Sequence, residues 1–251
     1  MSPPEGLIYY PNLLTIEQEA ALVTLFNSES DSWDTAGSRA ARTVKHFGYT
    51  YPYTRKLELL PTTPITPEFY PLILEMRKVP GLEDFMPEQA IVNRYLKNQG
   101  ISPHIDHPLL FGDIVVSISV GCSATMRFKK GSQGHDQNVA PRSLYAMTGP
   151  SRSEWTHEMC KRKSQCDTRY SITFRTVNHK YIKGEPHPAL TTEILSQGVV
   201  QRAKAVAKPR VRARIEVFNA KTKTGSGSES STKTGVRKKV VVSARRRPTE
   251  K

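Results

Sequence analysis

The chain has 251 residues, which suffices for one domain of ordinary to large size or for two small ones. Only 37% of its residues are hydrophobic, so part of the chain is not expected to pack into a core. The formal net charge of +14 is unevenly placed, because residues 189–251 contain 16 Lys and Arg against 4 Asp and Glu. Residues 1–188 are left with a net charge of +2. We therefore expect a nearly neutral globular part followed by a basic tail.

The same composition excludes several classes of protein. Three irregularly spaced cysteines, Cys122, Cys160 and Cys166, do not make a disulfide framework. No charged N-terminal segment leads into an apolar run, so a secretory signal is not expected. No stretch approaches the roughly 18 apolar residues that span a bilayer. We expect an intracellular monomer, in the cytoplasm or the nucleus, with reduced thiols and no membrane contact.

The N-terminal part predicts a short strand and two helices. Residues 6–14 are typical of a strand that runs into a helix. Thr15 and Gln18 have the spacing of a capping box, and apolar residues at helical spacing follow them. A second helix is predicted from Pro67, a favourable first-turn residue, to Met76.

From residue 89 onwards the pattern changes to strands. Short runs rich in β-branched and aromatic residues are bounded by Gly, Pro, Ser or Asn. An α+β protein, mainly β, is therefore predicted, with a sheet sandwich or open barrel and helices on one side. The predicted strands are Gln89–Lys97, Gly112–Gly121, Thr125–Lys130, Ser143–Thr148 and Arg169–Val177.

The periodicity fades after about residue 188. Residues 221–234 are low in complexity and residues 237–247 are strongly basic. Such a composition buries too little apolar area to offset the entropy of ordering. We therefore predict a folded domain over residues 1–188 and a basic, disordered tail over residues 189–251. A solvated extension, a localisation signal and a nucleic-acid contact all remain open for this tail.

Three residues have the character of metal ligands. His104 and Asp106 are two positions apart, so in an extended segment both side chains leave the same face. This spacing alone is weak, but His157 follows a predicted strand and supplies a third ligand. Two imidazoles and one carboxylate form the facial triad that leaves positions on Fe(II) for a bidentate co-substrate and O₂.

The strand Arg169–Arg175 adds a possible anion site. Its alternation places Arg169, Ser171, Thr173 and Arg175 on one face and apolar side chains on the other. Arginines turned inward favour a bound anion, and a guanidinium pairs well with a carboxylate. A dicarboxylate such as 2-oxoglutarate would satisfy both arginines. The alternative is a polar edge with its arginines turned to solvent.

Together these motifs resemble the AlkB family of Fe(II)/2-oxoglutarate dioxygenases over roughly residues 5–178. The resemblance implies a double-stranded β-helix (jelly-roll) core with N-terminal helices packed on one side. The matching motifs are Asn93-Arg94-Tyr95, His104-x-Asp106, Gly149-Pro-Ser-Arg152 before His157, and Arg169-x-Ser-x-Thr-x-Arg175.

The resemblance also implies roles for individual residues. His104, Asp106 and His157 would bind Fe(II). Arg169 would pair with the distal carboxylate of 2-oxoglutarate. Tyr95 and Asn93 would assist Arg169, and Arg175 would lie near the end that chelates the metal.

Two departures bear on the substrate. Bacterial members follow His-x-Asp with further acidic residues that help to read the damaged base, whereas His107-Pro108-Leu109 follow here. Ser171 stands where those members have Asn. The sequence around these motifs more closely resembles the branch of the AlkB family that acts on tRNA wobble uridine. The expected activity is hydroxylation or oxidative demethylation of a nucleic-acid base, with RNA (tRNA) favoured over DNA. A protein-directed oxygenase on the same core and a non-catalytic nucleic-acid-binding protein are the alternatives.

Candidate substrate contacts come from residues 42–53, where basic and aromatic side chains interleave. Aromatic faces stack on bases and cations contact phosphates, which favours Lys45 and Tyr49. An ordinary strand and hairpin that cover the sheet explain these residues equally well. The resemblance places Arg152 near the iron and makes it a further candidate.

Overall fold

The computed structural model describes residues 2–28, 33–36, 42–51, 56–161 and 166–207. In chain order the elements are β1 (Leu7–Tyr10), α1 (Ile16–Ser28), β2 (Asp34–Ala36), β3 (Arg42–Phe47), β4 (Tyr49–Thr50), β5 (Leu60–Pro61), α2 (Tyr70–Met76), β6 (Gln89–Tyr95), β7 (Ile101–His104), β8 (Phe111–Val120), β9 (Ala124–Lys130), β10 (Gln133–Val139), β11 (Leu144–Met147), α3 (Gly149–Ser153), β12 (Thr156–Met159), β13 (Arg169–Val177) and α4 (Thr192–Ala207). A 3₁₀ turn covers His179–Tyr181.

Two antiparallel sheets form the body of the protein. The larger has seven strands in the order β1-β11-β8-β13-β6-β3-β2, and the smaller has four in the order β10-β9-β12-β7. Neighbours in space are often distant in sequence, as expected for a jelly roll. The predicted mainly-β fold with a jelly-roll core is confirmed.

The helices cover one face of the larger sheet, as predicted. Tyr170, Ile172 and Phe174 of β13 point to this face and share one apolar cluster with Phe26 of α1 and Ile73 of α2. The predicted capping box is present, because the Thr15 backbone N–H donates to Gln18 Oε1 (2.8 Å) and the Gln18 N–H donates to Thr15 Oγ1 (3.2 Å).

The smaller sheet contains three strands that the sequence did not predict. These are β7, β10 and β12, and two of them form the edges of that sheet. Pro103 lies in β7, where an edge position tolerates a missing backbone donor. β10 is polar throughout most of its length. Pairing with β9 and β12, rather than local propensity, makes these segments strands.

The region after residue 188 differs from the sequence prediction. α4 lies over Thr192–Ala207, and its Leu195 is fully buried. Arg77 Nη1 donates to Thr192 Oγ1 (2.7 Å), and Arg202 pairs with Glu68 at 2.8 Å. The prediction of a disordered tail from residue 189 is therefore wrong for residues 192–207, and residues 208–251 lie outside the described part of the chain. Few apolar residues of α4 pack against the domain, so the hydrophobic periodicity of this helix is too weak to be recognised in the sequence.

The cysteines also differ from the expectation of reduced thiols. Cys122 and Cys166 form a disulfide with a Cα–Cα distance of 6.1 Å, while Cys160 is free. They meet because Val120 at the end of β8 pairs with Tyr170 near the start of β13. The 44-residue separation conceals this proximity in the sequence. None of the helices in the described ranges is long and apolar enough to cross a membrane.

Replacing Leu195 by Ala tests whether α4 is part of the folded domain. Loss of this fully buried side chain is expected to lower the free energy of unfolding by about 2–4 kcal/mol. Val200 lies on the same helix with 51% of its surface exposed, and Val200→Ala is expected to change stability little. Chemical denaturation of both variants measures the difference, and equal stabilities would show that α4 does not dock.

Candidate metal centre and cofactor cavity

A cavity of about 370 Å³ lies between the two sheets. Its walls come from the inward faces of β6, β12 and β13 and from the segment 101–106. The register explains this shared face, since Arg169 lies opposite Tyr95, Ser171 opposite Asn93, and Arg175 opposite Gln89. The alternation predicted for β13 is therefore confirmed: its polar side chains line the cavity, while its apolar side chains face the helices.

His104, Asp106 and His157 come together in this cavity. Their potential ligand atoms all lie within 4.8 Å of one another, and no other such group occurs among the described residues. β7 and β12 place His104 directly opposite His157, with ring centroids 4.3 Å apart. Asp106 follows two residues after the end of β7 and is buried.

A hydrogen bond fixes the orientation of the His104 ring. Its Nδ1 lies 2.9 Å from the carbonyl oxygen of Ser102, which can only accept, so Nδ1 carries the proton. Nε2 therefore keeps the lone pair and points towards Asp106, 3.7 Å from Oδ1. Such a bond to the other ring nitrogen is how proteins orient a metal-binding imidazole.

Asp106 is held as a carboxylate by Arg175. Arg175 Nε and Nη2 donate to the two oxygens of Asp106 at 3.2 and 3.1 Å, and Nη1 donates to Gln89 Oε1 at 3.0 Å. Burial alone would raise the pKa of Asp106, but the charge and hydrogen bonds of Arg175 lower it well below its usual range. The carboxylate is therefore ionised at neutral pH.

The donor set suits a divalent transition metal. Burial lowers the pKa of His157 to about 3, so its imidazole is neutral and able to coordinate. Neutral imidazoles beside an ionised carboxylate are the forms that Fe(II) requires. The residues present thus fit the metal predicted from the sequence.

Arg169 occupies the opposite end of β13. Only 1% of it is exposed, and it belongs to the largest fully buried side chains of the described chain. Nε donates to Ser119 Oγ (3.2 Å), Nη1 contacts Met159 Sδ (3.0 Å), and the guanidinium lies 5.6 Å from the centroid of the Tyr95 ring. The buried Arg169 guanidinium lines the cavity, where it can pair with an anionic ligand.

Asn93 has a partner that the sequence did not indicate. Its Oδ1 accepts a hydrogen bond from Arg42 Nε at 2.8 Å, and both residues line the cavity. Asn93 thus lies where a cofactor-binding residue was predicted, but its carbonyl oxygen is occupied by an arginine from β3.

The predicted substrate contacts lie elsewhere. Lys45 points to the opposite face of β3, with its ammonium 5.7 Å from the Phe47 ring. Tyr49 is 1% exposed, belongs to an apolar cluster, and accepts a hydrogen bond from the His187 backbone. Arg152 is also buried and donates to the backbone oxygens of Asp106 (2.9 Å) and Gly112 (3.2 Å). None of these three residues lines the cavity, and their contact with substrate stays a prediction.

The same segment does reach the cavity through two other residues. Arg42 and Tyr51 line it, and the Tyr51 ring lies 5.7 Å from that of Phe111. Strand parity separates Arg42 from Lys45, because Val44 lies opposite Asn93 and even-numbered positions of β3 share its face. The sequence contained this signal, but the pairing with β6 was needed to read it.

Comparison with known proteins identifies the class. A family model described as the 2OG-Fe(II) oxygenase superfamily matches residues 6–175. The chain therefore belongs to this superfamily, and it is a 2-oxoglutarate-dependent dioxygenase that uses Fe(II), 2-oxoglutarate and O₂.

Within the superfamily the chain is an AlkB-family member. It is 32% identical over 211 residues to the Xenopus tropicalis protein named tRNA (carboxymethyluridine(34)-5-O)-methyltransferase alkbh8, covering 71% of this chain and 32% of that protein. It is 24% identical to the mouse alpha-ketoglutarate-dependent dioxygenase alkB homolog 4, over 81% of this chain and 78% of that protein.

These similarities differ in extent. The chain spans about a quarter to a third of the length of the Xenopus tropicalis and mouse ALKBH8 proteins. The solved structure of OsALKBH1 covers 70% of the chain with a TM-score of 0.56 at 14% identity, and all of that structure is matched. This structural likeness supports the jelly-roll fold.

The pH dependence of stability tests the burial of the His46 imidazole, which is hydrogen-bonded to the backbone of Tyr51. His46 Nδ1 accepts the Tyr51 N–H (3.3 Å), and burial lowers the His46 pKa from 6.5 to about 4. The unfolded chain therefore binds an extra proton between these values, and stability falls as the pH falls through this window. In metal-free protein, His46→Gln is expected to flatten this slope by up to about 1.4 kcal/mol per pH unit. Denaturation at a series of pH values measures it; an unchanged slope below pH 6 would contradict the assignment.

Proposed function

We propose that this dioxygenase hydroxylates or oxidatively demethylates a nucleic-acid base, with RNA, and tRNA in particular, favoured over DNA. The choice of substrate rests on the 32–34% identity to ALKBH8 proteins, whose name specifies a tRNA uridine. Their methyl transfer is an activity of much longer proteins. What we propose for this chain is the kind of substrate, acted on by oxygenase chemistry.

His104, Asp106 and His157 would hold the Fe(II). This assignment is supported by the burial that keeps His157 neutral and by the Arg175 pair that keeps Asp106 ionised. When bound, Fe(II) supplies the activation of O₂ that couples oxidative decarboxylation of 2-oxoglutarate, to succinate and CO₂, with hydroxylation of a C–H bond. An N-hydroxymethyl product would then release formaldehyde.

Arg169 would bind the distal carboxylate of 2-oxoglutarate. Its guanidinium is preorganised by Ser119 and stacks near Tyr95, so little rotamer freedom is lost on binding. Arg152 would act on the metal centre indirectly. By donating to the Asp106 carbonyl and to Gly112, it fixes the segment that carries two of the three ligands.

Tyr51 and Arg42 are the candidates for contact with the base. The half-buried Tyr51 ring offers a stacking face, and the anticodon loop of a tRNA presents bases that are already unstacked. The basic residues after 188 would add affinity of the sequence-independent, salt-dependent kind.

Mass spectrometry of nucleosides tests the substrate. Full-length protein with Fe(II) and 2-oxoglutarate is incubated with tRNA, DNA or histone-type protein, and succinate is measured in parallel. We expect modified nucleosides from tRNA first, abolished by His157→Ala and retained by His179→Ala, a change at an exposed histidine. Succinate stimulated by protein alone would support the protein-directed alternative. RNA binding without turnover or iron would support a non-catalytic role.

Arg169→Gln tests the co-substrate site. Loss of a charge-assisted pair is expected to raise the KM for 2-oxoglutarate by about 10- to 100-fold. Arg127→Gln is the matched control, since Arg127 lies on the outer surface and pairs with Asp136. Initial rates at a series of 2-oxoglutarate concentrations measure the effect, and an unchanged KM would place the dicarboxylate elsewhere.

A further inference from the structure

We propose that the cavity selects an uncharged or acidic base over a cationic N-methylated one, and that Arg42, held by Asn93, receives an acidic group on that base. This inference rests on the proposed action on nucleic acid and names the substrate class of the same site.

The charge of the cavity is the first argument. Its described lining contains three arginines, Arg42, Arg169 and Arg175, but one carboxylate, Asp106. A bound Fe(II) dication and a 2-oxoglutarate dianion cancel each other, and both imidazoles must be neutral to coordinate. The loaded cavity therefore keeps a net positive charge, which opposes entry of a cationic base.

The single carboxylate is also not available to a cation. Both oxygens of Asp106 accept hydrogen bonds from Arg175, and the same oxygens face the metal centre. The residues that follow, His107 and Pro108, bring no further acid to this wall. An adenine methylated at N1 or a cytosine methylated at N3 is cationic at neutral pH and would thus be buried without a counter-charge, which is costly.

Arg42 is placed to recognise the opposite charge. It is the first residue of β3, lines the cavity, and is held through Nε by Asn93 at 2.8 Å. A guanidinium anchored by one donor presents its remaining donors in a fixed plane, which suits a carboxylate. Asn93 is then a positioning residue for Arg42.

Tyr51 lines the same cavity as Arg42 and the three candidate metal ligands. Its ring lies 5.7 Å from Phe111, over which the Arg175 guanidinium lies at 4.8 Å. The charges of Asp106, Arg175 and Arg42 all act on its phenol. Arg42 and the metal ligand Asp106 therefore face one cavity, within electrostatic reach of the same phenol.

Three anticodon stem-loops that differ at one base test the proposal. They carry 5-carboxymethyluridine (anionic), its methyl ester (neutral) or 3-methylcytidine (cationic), and kcat/KM is measured for each with the Fe(II)- and 2-oxoglutarate-loaded full chain. For the wild type we expect the anionic or neutral base to exceed the cationic one by at least 10-fold. Arg42→Gln should reduce the anionic-to-neutral ratio about 10- to 100-fold, with partial rescue in Arg42→Lys. Asn93→Ala should reduce the same ratio less.

The alternatives give different results. An equal loss on all three stem-loops in Arg42→Gln would mean that Arg42 contacts backbone phosphate, and would overturn the proposal. A rise in the KM for 2-oxoglutarate in place of a change in substrate ratio would assign Arg42 to the co-substrate and also overturn it. Preferred turnover of the cationic base would contradict the charge argument. Arg127→Gln, on the outer surface, should change none of these values. Turnover of 2-oxoglutarate without modification of any nucleic acid would instead reject the proposed function itself.

Discussion

The pairing of Arg175 with Asp106 is the interaction on which the centre depends. It joins the larger sheet, which contributes Arg175 and its support Gln89, to the loop that leaves the smaller sheet after His104. A buried carboxylate without this partner would tend to take up a proton and lose its value as a ligand. This one contact thus connects the two sheets beside the metal centre and also keeps the Asp106 carboxylate ionised.

Around this pair the protein assigns each remaining group one task. Ser102 fixes the tautomer of His104, and Arg152 fixes the backbone at Asp106. Arg169 lies at the far end of the same strand as Arg175, so in the proposed arrangement a single strand would serve both the metal and the co-substrate. Burying polar side chains costs free energy, and several of the buried polar residues of this protein line or support the cavity.

The larger part of the site was predictable from the sequence, because alternation in a strand is a local property. His104 with Asp106, and Arg169 with Arg175, could be assigned to common faces from spacing alone. What could not be predicted was which face of β3 meets the cavity, since this depends on its register with β6. Lys45 and Tyr49 were chosen for residue type, whereas Arg42 and Tyr51 are the residues that reach the cavity.

Non-local contacts also account for the errors in the fold. β7, β10 and β12 carry weak strand signals and depend on their neighbours in the smaller sheet. α4 is fastened by one fully buried leucine and two polar contacts to the region of α2, which no periodicity would reveal. Cys122 and Cys166 meet only because β8 and β13 are paired.

The length of β13 sets the distance between two arginines of the cavity. Arg175 lies six positions after Arg169, which at about 3.4 Å per residue places their Cα atoms roughly 20 Å apart. In the proposed arrangement, this spacing keeps the cation that would bind the distal carboxylate apart from the cation that holds the metal ligand Asp106.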